Sequence, residues 1–190
     1  MKNTDTYPII ACETQQDWEM WLEKHYDEAQ GVWLKLAKKA AALPSISHAE
    51  AVDGALCYGW IDGQAASCDA HYWLQKFTPR GPRSVWSQVN RDKIGVLQAA
   101  GRMRAGGIRQ VELAQADGRW QAAYEAQSKA SIPEDLQREL DKNQQAQTVF
   151  DALNKTNRYA ILLSIQKAKK AETRVARIQK FVAMLANNEK

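Results

Sequence analysis

The 190-residue chain has little cysteine and little proline, and it has no long apolar run. Its three cysteines, Cys12, Cys57 and Cys68, form an odd set without metal-ligand spacing. That pattern predicts reduced thiols in a cytoplasmic protein, with a Cys57–Cys68 bridge as the alternative. No stretch approaches the ~18 consecutive apolar residues of a transmembrane helix. The opening residues, MKNTDTYPIIACETQQDW, lack the apolar core of a secretory signal, which also points to the cytoplasm. The histidines, His25, His48 and His71, show no H-E-x-x-H or related spacing, so no metal site is expected. There is no Walker loop and no G-x-G-x-x-G, and no cofactor is expected. GRMRAGG (101–107) has the glycines of a phosphate loop but follows a helical pattern rather than a strand. Repeats and low-complexity tracts are absent.

What is present is ordinary for a globular protein: 45% hydrophobic and 25% charged residues. The length suffices for a sizeable core. The net charge of +4 is uneven. Residues 1–95 hold 10 Lys/Arg against 12 Asp/Glu, and residues 96–190 hold 16 against 10. The C-terminal half therefore prefers anionic company.

Thr14 followed by Asp17 predicts a helix start, and Trp18, Trp21 and Leu22 continue it over 15–26. GVWLKLAKK (31–39) reads as a strand with Val32, Leu34 and Leu36 on one face. Ser47 and Glu50 form a capping box opening a helix over 48–58, which Gly59 ends. WIDGQAAS and HYWLQKFT read as two strands joined at Cys68–Asp69. From Val89 onward the chain is helix-like almost throughout, with Pro133 expected at the first helical position of one segment. The fold class is α+β, with a small antiparallel sheet and helices in the N-terminal half and a helical C-terminal half. The expected division is an α+β region over 1–100 and a helical region over 101–190, packed as one unit.

Three stretches could carry function. FTPRGPRSVWSQVN (77–90) places Arg80 and Arg83 beside two prolines, with Ser84 and Ser87 able to cap the helix that follows. Two guanidiniums beside a helix N-terminus suit a phosphate or carboxylate. The plainer role is a rigid loop whose arginines pair internally and whose Trp86 anchors it. CYGWIDGQ (57–64) offers Asp62 as an acid–base group or ligand hook, or as a turn residue or partner of Arg80. Cys57, on a helix's apolar side, reads as a buried thiol rather than a nucleophile. KAKKAETRVARIQKF (167–181) crowds Lys167, Lys169, Lys170, Arg174, Arg177 and Lys180 opposite an apolar stripe of Val175, Ile178, Val182 and Leu185. That charged face is either solvated or a platform for an acidic partner, a nucleic-acid backbone or an anionic membrane surface.

Taken together, ALCYGWIDG, FTPRGPRSVWSQVN, GRM (101–103), DGRW (117–120) and AKKAETRVARI (168–178) resemble the signatures of the YdeI/OmpD-associated, or bacteriocin-protection, family. The resemblance runs from about residue 30 to residue 186. It implies a link to the cell envelope, to porin association and to resistance against bacteriocins or antimicrobial peptides, but no reaction and no catalytic residues. Without an export signal, any envelope effect is expected to be indirect.

The leading expectation is a cytoplasmic binding or stress-protection protein with an anion-accepting surface. Trp60, Asp62, Gly63, Arg80, Arg83, Ser84, Trp86, Ser87 and Asn90 are expected to line it. Lys170, Arg174, Arg177 and Lys180 form the expected surface for an anionic partner. Two alternatives stay open. One is an enzyme acting on a small anionic metabolite, with Asp62 as acid–base group and the arginines as clamps. The other is nucleic-acid binding through the basic C-terminal helix.

Overall fold

The computed structural model describes residues 7–125, 130–168 and 170–188. Among these, helices and a four-stranded sheet give the expected α+β class. They fall into two compact units. The first takes the described residues through Trp86 together with Asn90–Ala123, and the second takes Ser87–Val89 and the described residues from Tyr124 onward.

The first unit holds β1 (Ile9–Ala11), α1 (Gln15–His25), β2 (Val32–Ala37), α2 (His48–Cys57), β3 (Trp60–Ser67), β4 (Tyr72–Pro79), most of α3 (Gln88–Ala99) and α4 (Ala105–Ala116). The capping box expected at Ser47 and Glu50 forms, and the helix start expected at Thr14 and Asp17 proves to be a capping box as well. The Thr14 hydroxyl accepts from the Asp17 amide and the Asp17 carboxylate accepts from the Thr14 amide, and Ser47 and Glu50 repeat the exchange. Gly59 ends α2 at φ 79, the left-handed turn that glycine adopts at least cost. The strands lie in the order β1-β2-β4-β3. β2, β4 and β3 pair antiparallel, as expected. The sheet is nevertheless mixed, because β1 joins β2 in parallel, Ile9 opposite Trp33. Three residues are too few to show an alternation, and only backbone pairing with β2 makes IIA a strand. Val32, Leu34, Leu36, Phe77 and Trp60 bury against Trp18, Leu22 and Leu56 to form the core. Trp18 stacks on Trp21 with ring centroids 5.4 Å apart, and its indole N–H donates to the Ala51 carbonyl at 2.9 Å. Asp69 closes the β3–β4 turn by accepting from the His71 and Tyr72 amides, which lowers its carboxyl pKa to about 2.

The glycines of GRMRAGG serve packing. A Cβ on Gly107 would lie 2.2 Å from the Cys57 carbonyl oxygen, and one on Gly106 would lie 2.6 Å from that of Tyr58. The first turn of α4 thus meets the end of α2 backbone to backbone. The Arg104 amide donates to the Cys57 carbonyl at 3.0 Å across the same contact.

The second unit holds α5 (Glu134–Asp141), α6 (Gln144–Ala152), α7 (Lys155–Gln166) and α8 (Ala171–Ala186). Pro133 caps α5 from outside, one position earlier than expected. Leu136, Leu140, Phe150, Leu162, Ile165, Ile178 and Leu185 form its core. The stripe expected on α8 is narrower than the sequence suggests: Ile178 and Leu185 are buried, while Val175 is 53% exposed. Lys169 lies outside the described residues.

Candidate functional site

In the first unit, a cleft of about 400 Å³ opens where the end of β2, the loop after it and the head of α2 come together. Lys38, Lys39 and His48 line it, with Trp73, Leu43 and Ile46 as its main apolar surfaces. The loop includes Ala42 at φ 48, a left-handed conformation that costs a residue with a Cβ. No carboxylate belongs to the lining. The hydroxyls there are already committed. Ser47 serves the α2 capping box, and Ser45 accepts from the Ala37 amide while donating to the Ile46 carbonyl. The Lys38 ammonium donates to the Asp69 carbonyl at 2.8 Å. Lys39 is exposed and makes no hydrogen bond or ion pair among the described residues.

His48 joins this cleft to one residue singled out in the sequence. Its Nε2 lies 3.8 Å from Oδ2 of Asp62, too far for a direct hydrogen bond but close enough for an ion pair with imidazolium. Its ring lies 5.8 Å from that of Trp73. His48 is the first residue of α2, and its surroundings in the sequence suggest no role for it. Nothing in the chain order announces that β3 returns to the head of α2.

The other residues expected to line one surface have diverse placements. Trp60 is fully buried, and its indole N–H donates to the Tyr26 carbonyl at 2.9 Å. Gly63 sits at an irregularity in the β3–β4 pairing, and its carbonyl accepts from the Gln75 amide side chain at 3.0 Å. Arg80 is 5% exposed. Its guanidinium lies 3.6 Å from the centroid of the buried Trp86 ring and donates to the Val85 carbonyl. The Ser84 hydroxyl accepts from the Gly81 amide, and the Ser84 carbonyl accepts from the buried Arg119, whose Nε is held by Asp117. Arg83 is exposed and unpaired among the described residues. Asn90 lies in the first turn of α3, and Ser87 belongs to the second unit. Asp62 and Arg80 engage different partners. Asp62 faces His48, while Arg80 lies on Trp86 beyond the end of β4.

Burial pushes the Cys57 thiol pKa up, and it pushes that of Cys12 up to about 11. Neither is poised as a thiolate nucleophile. Among the described residues, no group of three His, Cys, Asp or Glu side chains could hold a metal ion, and no helix is long and apolar enough to cross a membrane.

In the second unit the basic face of α8 is partly committed. Arg174 grips Asp135 through both carboxylate oxygens, at 2.6 and 2.8 Å, and also donates to the Ile165 carbonyl. Arg177 donates to the Ser164 carbonyl. The two arginines thereby satisfy carbonyls in the last turn of α7, where positive charge is favoured. Lys170 and Lys180 remain exposed. The Arg174 hydrogen bonds are the chief cause holding the Asp135 carboxyl below its usual range. A depressed carboxylate contributes stability that is complete above its unfolded value, near pH 4, and is lost as pH falls through the folded one. Arg174→Gln is expected to lower the second unit's melting temperature by on the order of 5–10 °C, from about 1–2 kcal/mol after discounting for partial exposure. It is also expected to flatten the unit's stability loss below pH 4. Circular dichroism melts between pH 7 and pH 2.5 check both, and an unchanged melt at pH 7 would mean that this pair contributes nothing.

Comparison with known proteins assigns the chain. Residues 10–110, just over half of its length, match a family model described as Domain of unknown function (DUF8412). Residues 129–188 match one described as Bacteriocin-protection, YdeI or OmpD-Associated. Through the larger match the chain belongs to the DUF8412 family. Its C-terminal third carries a YdeI/OmpD-associated segment. No curated protein and no solved structure matches. Of the motifs that carried the resemblance, AKKAETRVARI lies inside the YdeI/OmpD-associated match. ALCYGWIDG, FTPRGPRSVWSQVN and GRM lie inside the other, and DGRW falls between the two.

Proposed function

We propose that this protein is a binding protein that holds a small anionic ligand in the cleft at the head of α2. Binding there would serve the kind of protection for which the YdeI/OmpD-associated family is named. One observation carries the reading: Lys38, Lys39 and His48 face a cleft of ligand size, about 400 Å³, that has no carboxylate in its lining. Action in the cytoplasm is supported by three free cysteines, one of them exposed.

The test is a thermal-shift series with phosphate, acetate and benzoate, each against chloride at equal ionic strength. That comparison removes general salt effects. At ten times Kd a ligand specific to the native state adds roughly 1.4 kcal/mol. At least one anion is expected to raise the melting temperature of the wild type but not of the Lys39→Ala/His48→Ala variant. Equal responses of the two proteins to all three anions would sink the reading.

The His48–Asp62 approach favours a second reading, in which the pair does acid–base work on a bound anion. Release of 4-nitrophenolate from the anionic half-ester mono-4-nitrophenyl succinate, lost in both His48→Ala and Asp62→Asn, would favour it over simple binding. The seat first expected at Arg80 and Arg83 is supported now by Arg83 at the surface. The nucleic-acid reading is left with Lys170 and Lys180.

A further inference from the structure

We infer that the ligand of this cleft is a planar aromatic monocarboxylate rather than an inorganic anion. The inference rests on the cleft being a binding site and names the chemical class that it takes. Phosphate and sulfate are held in proteins by several converging donors, because each presents three or four oxygens that must replace water. The cleft does not offer that many. Its serine hydroxyls are spent on the capping box and on neighbouring backbone groups. Lys38 already serves the Asp69 carbonyl. Two groups remain: the exposed ammonium of Lys39, and the imidazole of His48, whose Nδ1 makes no hydrogen bond among the described residues. Two donors match the two oxygens of one carboxylate.

The rest of the lining favours a flat apolar body. Leu36, Leu43, Ile46 and Trp73 contribute apolar surface, and Leu43 is 40% exposed. Trp73 stands opposite Leu36 in the β2–β4 pairing and is half-buried. Its ring and that of His48 are tilted by 42° at 5.8 Å, so two ring systems border the same space. An aromatic ring gains both area burial and offset or edge contacts against such a wall, whereas a hydrated inorganic ion gains neither. A volume of about 400 Å³ has room for a one- or two-ring acid.

Isothermal titration of the wild type with benzoate, acetate and phosphate tests this, alongside Leu43→Ser and Trp73→Leu. Leu43 is an exposed loop residue, so that change leaves folding intact. Benzoate is expected to bind at least tenfold more tightly than acetate or phosphate. Leu43→Ser and Trp73→Leu are each expected to weaken benzoate several-fold while leaving acetate unaffected. If acetate or phosphate binds as tightly as benzoate, with dependence on Lys39 and His48, the site stands and the aromatic assignment falls. If benzoate binding is unmoved by Leu43→Ser, the apolar wall plays no part and the assignment also falls. If no anion binds with dependence on Lys39 and His48, the binding reading itself falls and takes the assignment with it.

Discussion

Gly107→Ala is expected to destabilise the first unit by about 3 kcal/mol, a drop on the order of 10 °C in its melting temperature. The usual direction is the opposite, since alanine is favoured over glycine in a helix interior by ~1 kcal/mol. Here the added methyl would sit 2.2 Å from the Cys57 carbonyl oxygen and 2.7 Å from that of Leu56. Both are backbone atoms at the end of α2, so no side chain can swing aside. Relief requires α4 to lift away, which also strains the Arg104–Cys57 hydrogen bond. Gly95→Ala in α3 is the control. A Cβ there meets nothing within 4 Å, and the change is expected to raise stability by up to ~1 kcal/mol. Opposite signs in parallel denaturant melts support the close helix contact. A neutral or stabilising Gly107→Ala would refute it.

Arg80→Ala is the second large effect, expected at about 2–4 kcal/mol. The side chain is 5% exposed, lies flat on Trp86 and holds the Val85 carbonyl. Truncation removes the stacking and the hydrogen bond and leaves a void against a large buried ring. Arg80→Lys restores charge without the planar stack and should recover less than half. Arg83→Ala, on the exposed side of the same loop, should lie within ~0.5 kcal/mol of wild type. Phosphate melts separate bracing from binding in this loop. A phosphate-specific gain lost in Arg83→Ala would support an anion seat at the surface. An Arg80→Ala melt unchanged from wild type would end the view of Arg80 as a brace.

The sequence by itself determined the local elements and the family. Thr14 with Asp17, and Ser47 with Glu50, fixed two helix starts, because a capping box is satisfied within four residues. The alternation of Val32, Leu34 and Leu36 fixed which face of β2 is buried, and Gly59 fixed the end of α2. The α+β class follows from such signals. Only the tertiary structure decided what each polar residue does, because partners distant in sequence set burial and charge pairing. The three-residue β1 exists only through its pairing with β2. GRMRAGG has the glycines of a phosphate loop, and only the end of α2 shows that Gly106 and Gly107 admit a close backbone contact. Arg80 and Arg83 stand three residues apart with the same chemistry, yet one is packed on Trp86 and the other is in solvent. Arg174 and Arg177 read as part of a solvated face or of a platform for an anionic partner, but the ends of α5 and α7 lie against them and supply a carboxylate and carbonyls. The cleft gathers Lys38, Lys39, His48 and Trp73 from a strand end, a loop, a helix head and a second strand. Asp62, from a third strand, stands behind His48. No spacing along the chain encodes that convergence, since it arises when β3 and β4 fold back beside β2 and carry their side chains to the head of α2.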